Sequence, residues 1–147
     1  MRAVVQRVRN ASVMVAGATV AEVGHGLVVL VGVAQEDTVA EAERLAGKIA
    51  RLRIFENERG RLDRSLLDVS GEALVVSQFT LIADSKRQKG TRPDFSKAAR
   101  PEVAESLYEG FIEALRREGA PVQKGVFGAR MELSLVNDGP VTIVLDG

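Results

Sequence analysis

The chain contains no cysteine and no tryptophan, and it has a single histidine, His25, among its 147 residues. The absence of cysteine excludes disulfides, thiolate catalysis and zinc–thiolate sites. The histidine stands between Gly24 and Gly26, which predicts an exposed turn, and a catalytic imidazole would need both a nucleophile and an orienting partner. The sequence has no cluster of acids and histidines, so we expect neither a metal site nor a cofactor. An enzyme made from this chain would therefore work largely with backbone groups and shape.

Long apolar runs and an excess of one charge are also missing. Lys plus Arg and Asp plus Glu each total 20, so any binding of nucleic acid must depend on a local basic patch. Gln6, Arg7 and Arg9 interrupt the apolar start, which is not typical of a signal peptide. No stretch approaches the roughly 18 apolar residues of a membrane span. We therefore expect a protein of the reducing cytoplasm.

The pattern of apolar residues predicts more strands than helices. Alternating β-branched residues indicate two early strands joined by a turn at Arg9 and Asn10, and continuous apolar runs indicate buried strands. The predicted strands are 2–8, 12–20, 27–33, 73–76, 122–127, 130–136 and 141–145. Because several of them are neighbours in sequence, we predict an α+β fold with a mostly antiparallel sheet or partial β-barrel. A length of 147 residues predicts one domain spanning 1–147.

Two main helices are predicted between the strands. The first opens at Thr38, which has Glu41 at capping-box spacing, and Val39 begins its apolar stripe. The second has Pro101 in its first turn and ends before a glycine, and Val103 begins its apolar stripe. A long polar connection, residues 83–100, lies between the buried strand 73–76 and the second helix.

Polar residues follow the buried strand 73–76 as Ser77-Gln78-Phe79-Thr80. Thr80 could present its hydroxyl as a nucleophile, but an unassisted hydroxyl is weak and the sequence supplies no obvious base. The alternative is a strand residue that bonds its hydroxyl locally. The backbone N–H groups near Phe79 and Thr80 are better candidates, because oriented amides stabilise an oxyanion by about 3–4 kcal/mol each.

Gly139-Pro140 interrupts strand-like sequence on both sides. A Gly-Pro step usually marks a turn, and proline inside a sheet must lie at an edge or a bulge. Only an X-Pro bond adopts the cis form cheaply, at about 0.5–1 kcal/mol, and a cis unit would point two successive carbonyls in a similar direction. Either a plain turn or a rigid pair of acceptors is consistent with the dipeptide.

Basic residues concentrate in the connection 83–100. This segment is either a solvated polar loop or a surface that contacts phosphates. Phe95 is the only aromatic residue near these cations, so tracking of a nucleic-acid backbone is favoured over reading of bases. The cations are Lys86, Arg87, Lys89, Arg92, Lys97 and Arg100.

SQFTL at 77–81 together with NDGPVT at 137–142 resembles the D-aminoacyl-tRNA deacylase family. The resemblance covers essentially the whole chain, from MRAVVQRV at the start through LYEGF and FGARM. Two separated motifs in the right order, with matching flanks, make it specific.

The resemblance implies hydrolysis of the ester between a D-amino acid and the terminal adenosine of tRNA, as chiral proofreading in translation. It implies a homodimer in which Gly139-Pro140 of one subunit, in the cis form, enters the other subunit's pocket, receives the substrate ammonium and rejects L-amino acids. Ser77, Gln78, Phe79 and Thr80 would line that pocket, and Arg7 would orient the Gly-Pro unit. Glycyl-tRNA is expected as a further substrate. The tRNA would contact the cations Lys86, Arg87, Lys89 and Arg92.

The competing hypothesis is a non-catalytic nucleic-acid-binding module that uses the basic loop 86–100. It would bind without turnover, and Gly139 and Pro140 would be dispensable. A general esterase is disfavoured, because the chain lacks G-x-S-x-G and a histidine partner for a nucleophile.

Overall fold

The chain folds as α+β, with six strands in one mixed sheet, a separate two-stranded hairpin and two α-helices. The computed structural model describes all residues, 1–147. No helix is long and apolar enough to cross a membrane. In chain order the elements are β1 (Arg2–Val15), β2 (Ala18–Val23), β3 (Gly26–Gly32), α1 (Val39–Ala50), β4 (Phe55–Glu56), β5 (Leu62–Arg64), β6 (Glu72–Ser77), α2 (Pro101–Arg117), β7 (Val122–Lys124) and β8 (Glu132–Asp146).

Strand β1 organises the sheet because it pairs with three other strands. Its first half pairs with β3, its second half with β2, and β8 runs antiparallel to nearly its whole length. The predicted turn at Arg9 and Asn10 is therefore wrong. The chain turns instead at Ala16 and Gly17, both with positive φ (50° and 81°), a conformation that suits a two-residue hairpin loop. The two polar residues Arg9 and Asn10 do not end the strand, because both side chains are exposed to solvent.

Strands β3, β6 and β7 extend the sheet in parallel. Parallel neighbours need long crossover connections, and here α1 lies in the connection from β3 to β6 and α2 in that from β6 to β7. The sheet curls so that β2 comes close to β6 and β7, which nearly closes a barrel. The prediction of an α+β fold with a mostly antiparallel sheet or partial barrel is confirmed.

Both helices begin where the sequence predicted. The Thr38 hydroxyl oxygen accepts a hydrogen bond from the Glu41 N–H at 3.4 Å, and Pro101 occupies the first position of α2. The predicted apolar stripes are wrong at their first members, because Val39 is 60% and Val103 47% exposed. These two side chains line a shallow groove between the helix N-termini, beyond the part of each helix that packs on the core.

Apolar side chains cover both faces of the central strands. Leu27, Val29 and Val31 of β3 belong to the main core beneath the helices, whereas Val28 belongs to a second cluster on the opposite face. Strand β6 alternates in the same way, which explains why its sequence is continuously apolar. The end of β6 is consequently held by packing from both sides, and the chain leaves it at Ser77.

Candidate active site

A cleft of about 520 Å³ opens where β6 ends. Seven of the twelve residues around it are hydrophobic. None carries a carboxylate, imidazole, amine or phenol, so the walls offer no titratable acid or base. The lining residues are Val33, Ser77, Gln78, Phe79, Thr80, Ala99, Pro101, Ala104, Phe127, Gly128, Ala129 and Met131.

The four predicted residues Ser77 to Thr80 form one wall of this cleft. The Gln78 N–H still donates to the carbonyl of Val31 at 2.8 Å, so the chain follows the sheet to this point. A single 3₁₀ turn, Phe79–Ile82, then begins, and its first bond runs from the Leu81 N–H to the Gln78 carbonyl. The N–H groups of Phe79 and Thr80 precede that bond and have no acceptor within the turn.

The Thr80 side chain is exposed and has a polar neighbour but no base. Its hydroxyl oxygen accepts a hydrogen bond from the Gln78 side-chain amide at 3.1 Å. An amide donor cannot remove the hydroxyl proton, so this contact orients Thr80 without activating it. The structure brings Gln78 and Thr80 together, and their roles in a reaction stay predictions.

Gly139 and Pro140 lie in a bulge of β8, and the peptide bond between them is cis. Val8 of β1 pairs with Asn137 and Gln6 with Thr142, so four residues of β8 lie opposite Arg7 alone. The separate strands predicted at 130–136 and 141–145 are therefore one strand, interrupted by this bulge. Gly139 and Pro140 are both exposed on it.

Two side chains hold the bulge in place. Arg7, which is only 5% exposed, donates from Nε to the Asp138 carbonyl and from Nη1 to the Ile54 carbonyl, both at 2.9 Å. The Asn137 amide oxygen accepts from the Val141 N–H at 2.9 Å, across the Gly-Pro step. Arg7 thus contacts the segment that the sequence assigned to it.

The structure does not bring Gly139-Pro140 to the cleft of the same chain, because neither residue lines it. Along the paired strands, Ser77 is level with Val31 and Ala3, whereas the bulge is level with Arg7. Four residues of β1 separate these levels, about 13 Å along the strand. The two motifs of one chain occupy separate surfaces.

The basic loop 83–100 borders the cleft and is pinned at its base. The Asp84 N–H donates to the Asp94 carbonyl and the Ala99 N–H to the Val33 carbonyl, each at 2.9 Å. The hydrogen bond from the Lys97 ammonium at 2.9 Å lowers the pKa of Asp84. Ser96 lowers the pKa of Asp94 through its hydroxyl and its N–H. The predicted contacts Lys86, Arg87, Lys89 and Arg92 are all exposed and form no ion pair.

Residues that the sequence reasoning missed include Asn137 and the cleft residues Phe127 and Met131. Phe127 and Met131 are the first and last residues of FGARM, and Asn137 is the first residue of NDGPVT. The motifs therefore contained these residues, but the sequence pattern alone assigned them no role. His25 is exposed, as predicted, and its ring lies 5.2 Å from that of Phe55, outside the cleft. No group of three acids, histidines or cysteines is placed to hold a metal ion.

Solved structures share this architecture. A protein described as "c-Myc DNA Unwinding Element Binding Protein" superposes with a TM-score of 0.92 at 45% identity, covering 100% of this chain and 99% of that one. A probable eukaryotic D-amino acid tRNA deacylase superposes with a TM-score of 0.85 at 20% identity, over 98% and 97% of the two chains. At that identity the second likeness supports the fold alone.

Sequence relatives extend the likeness. D-aminoacyl-tRNA deacylases from Chloroflexus aurantiacus and Brevibacillus brevis are 58% and 55% identical to this chain over 146 residues, 99% of its length and 90% and 99% of theirs. A family model described as D-Tyr-tRNA(Tyr) deacylase matches residues 4–146. The chain therefore belongs to the D-Tyr-tRNA(Tyr) deacylase family and is an aminoacyl-tRNA deacylase, as its paired motifs predicted.

Proposed function

We propose that this protein hydrolyses the ester between a D-amino acid, or glycine, and the terminal adenosine of tRNA, as a homodimer that spares L-aminoacyl-tRNA. One observation carries the proposal: the cleft has no titratable side chain, while a firmly held Gly-Pro unit lies exposed outside the cleft of its own chain. Selectivity and catalysis must then come from backbone groups, from a second subunit and from the substrate.

The amides of Phe79 and Thr80 would bind the ester. Water adds to the ester carbonyl carbon, the oxyanion accepts hydrogen bonds from these amides, and the bond from carbon to the ribose oxygen then breaks. The leaving ribose oxygen takes a proton, and the free amino acid departs. Two such amides stabilise the oxyanion by about 3–4 kcal/mol each. The 2′-hydroxyl of the terminal ribose would position the water, since the cleft contains no side-chain base.

The site would distinguish D- from L-amino acids by a steric clash. If the carbonyls of Gly139 and Pro140 of the partner subunit receive the ammonium and the amides hold the ester, the α-hydrogen and the side chain have fixed directions. An L side chain would strike the Gly-Pro backbone, and a D side chain would point to solvent. Rejection by 10⁴-fold requires about 5.5 kcal/mol, which a steric clash supplies more readily than one hydrogen bond. Glycine has no side chain and would escape rejection.

A second subunit accounts for the distance between the motifs. The bulge lies on β8, which pairs only with β1 and leaves its outer edge free. A free edge of this length is open to association with another chain. Two-fold pairing would place each bulge in the other subunit's cleft and complete two sites at once.

The test of the reaction uses two tyrosyl-tRNAs of opposite chirality and glycyl-tRNA. We expect release of D-tyrosine and glycine with L-Tyr-tRNA intact, and equal rates on both enantiomers would contradict the chiral mechanism. Thr80→Ala and Thr80→Val should keep substantial activity, because neither removes the amide. Loss of turnover in folded protein would restore the hydroxyl as nucleophile.

The shared site is tested by mixing two impaired chains. Gly139→Ala damages the bulge, and Ala129→Trp fills the cleft. If the bulge works in the partner's cleft, mixed dimers contain one intact site, and random mixing should restore about a quarter of the wild-type activity. If each chain uses its own bulge, mixing restores nothing.

Binding of nucleic acid as a function separate from hydrolysis is a second candidate, favoured by the name of the DNA-binding protein that is 45% identical. It assigns the function to Lys86, Arg87, Lys89 and Arg92. Replacing Lys86, Arg87 and Lys89 by Ala should then abolish binding, whereas Gly139→Ala should have no effect. For D-aminoacyl-tRNA hydrolysis we expect weaker, less salt-dependent binding from the loop variant and a roughly tenfold lower kcat/KM from Gly139→Ala.

A further inference from the structure

Two phenylalanine rings meet at the mouth of the cleft, where the loop 83–100 reaches the 3₁₀ turn. The ring centroids of Phe79 and Phe95 are 5.3 Å apart, with the planes inclined at 76°. Phe79 is nevertheless 57% exposed, the largest aromatic surface that the fold leaves open. An edge-to-face pair covers at most one face of each ring, so free ring surface remains. The reaction proposed above uses the Phe79 amide and leaves its ring without a role.

The loop that supplies Phe95 is rich in cations. Five cations of the loop form no ion pair, whereas Asp84 is paired with Lys97 and Asp94 accepts hydrogen bonds from Ser96. An exposed aromatic surface that shares a loop with unpaired cations suits single-stranded nucleic acid, whose bases stack and whose phosphates carry the charge. The five cations are Lys86, Arg87, Lys89, Arg92 and Arg100.

We propose that Phe79 and Phe95 form a stacking platform for the base that precedes the terminal adenosine of the RNA substrate. The inference rests on the proposed function. With the ester at the amides of Phe79 and Thr80, the terminal nucleoside occupies the cleft, and the strand must leave past the mouth. The preceding base then meets the aromatic pair, and its phosphate faces the loop cations. Phe95 is in this role a substrate-binding residue outside the chemistry.

The test compares a D-aminoacyl ester of adenosine with the same ester of the dinucleotide CpA. Stacking of one base is worth about 1–3 kcal/mol, so we expect kcat/KM of the wild-type protein to be about tenfold higher for the dinucleotide. Phe95→Ala should reduce this ratio toward one, and Phe95→Tyr, which keeps the ring face, should retain it. A dinucleotide with an abasic ribose before the adenosine should lose the gain with unaltered protein.

Three results would overturn the platform. They are a wild-type ratio near one, a full ratio in Phe95→Ala, and a full ratio with the abasic dinucleotide. If Phe95→Ala instead dissociates the homodimer in sedimentation, the aromatic pair belongs to the subunit interface and the platform is also wrong. Failure of the wild-type protein to hydrolyse either ester would contradict the proposed function itself, and the platform with it.

Discussion

The cleft wall Ser77–Thr80 and the Gly139–Pro140 bulge are positioned in opposite ways. The wall continues a buried strand that has neighbours on both edges and apolar packing on both faces. The bulge lies on an outer strand, is exposed, and departs from its ladder. Main-chain pairing and core packing place the first, whereas the side chains of Arg7 and Asn137 place the second.

This difference predicts unequal sensitivity to mutation. A wall fixed by many small contacts should tolerate the loss of any one of them. A bulge fixed by a few hydrogen bonds should not, since each holder contributes a large share of its geometry. Substitutions that touch the bulge should therefore lower kcat/KM more than the free energy of unfolding. Substitutions behind the wall should lower the free energy of unfolding more than kcat/KM.

The largest effect is expected from Arg7→Ala. It removes the donors to the carbonyls of Ile54 and Asp138 and leaves the buried Ile54 carbonyl unpaired, which costs about 1–3 kcal/mol. Displacement of the bulge by even 1 Å should lower kcat/KM for D-Tyr-tRNA about 100-fold. Urea unfolding and single-turnover hydrolysis measure the two effects. Arg7→Lys keeps the charge but cannot span both carbonyls, so it should recover stability better than activity. Normal activity in folded Arg7→Ala would remove Arg7 from the site.

Gly139→Ala should come next, at about tenfold in kcat/KM. The added Cβ would lie 2.9 Å from Val141 Cγ2 and 3.1 Å from Arg7 Nη2, and the φ of +135° is one that L side chains rarely adopt. Backbone strain of this kind costs on the order of 1–3 kcal/mol. Gly60→Ala is the matched control, because Gly60 has a φ of +73° but open space around its Cβ position. Equal losses of activity in both variants would show that strain alone, and not the bulge, matters.

Asn137→Ala should have a smaller effect, about fivefold in kcat/KM, because of its two side-chain hydrogen bonds only the one from the Val141 N–H, worth about 1 kcal/mol, holds the backbone of the bulge. The Val141 N–H loses its acceptor, and Thr142 loses its amide neighbour. Asn137→Asp keeps the acceptor for Val141 and should recover most of the rate. If Asn137→Asp is as slow as Asn137→Ala, the contact to Thr142 holds the bulge instead.

Tyr108→Phe tests the wall and should change activity least, within about twofold. The buried Tyr108 hydroxyl, whose pKa is raised by burial, donates to the Val75 carbonyl at 2.9 Å. That carbonyl also accepts from the Gly125 N–H at 3.1 Å and stays satisfied. We expect a loss of about 0.5–1.5 kcal/mol in the free energy of unfolding. A tenfold loss of turnover would contradict the tolerance assigned to the wall.

The sequence predicted the fold class, both helix starts and the buried strand 73–76, because apolar periodicity and capping residues are local signals. It failed at Arg9 and Asn10, where two polar residues were taken as the end of a strand, and at β8, where the Gly-Pro step was taken as a division between two strands. At Asn10 pairing with Val136 of the distant strand β8 continues the strand, and beyond the bulge pairing with β1 resumes at Thr142. Local patterns do not contain that information.

The parts of the candidate site that lie within sequence motifs were predictable. SQFTL and NDGPVT located the cleft wall and the bulge, and the chain's lack of bases indicated backbone chemistry. Of the two side chains that hydrogen-bond the bulge, only one was predicted from the sequence. Arg7 came from resemblance, while Asn137 was overlooked because its contact depends on the path of the bulge. The pair Phe79–Phe95 joins residues of two segments and required the folded chain.

The pairing of β1 with β8 also sets an order of events during synthesis. The ribosome completes β1 first and β8 more than a hundred residues later, a delay of roughly 5–25 s at typical elongation rates. Through that interval one edge of β1 has no partner, and such edges invite aggregation. The strand that covers the edge also carries Gly139-Pro140. Pairing of β8 with β1 in the nascent chain therefore covers the exposed edge and positions Gly139-Pro140 in the same step.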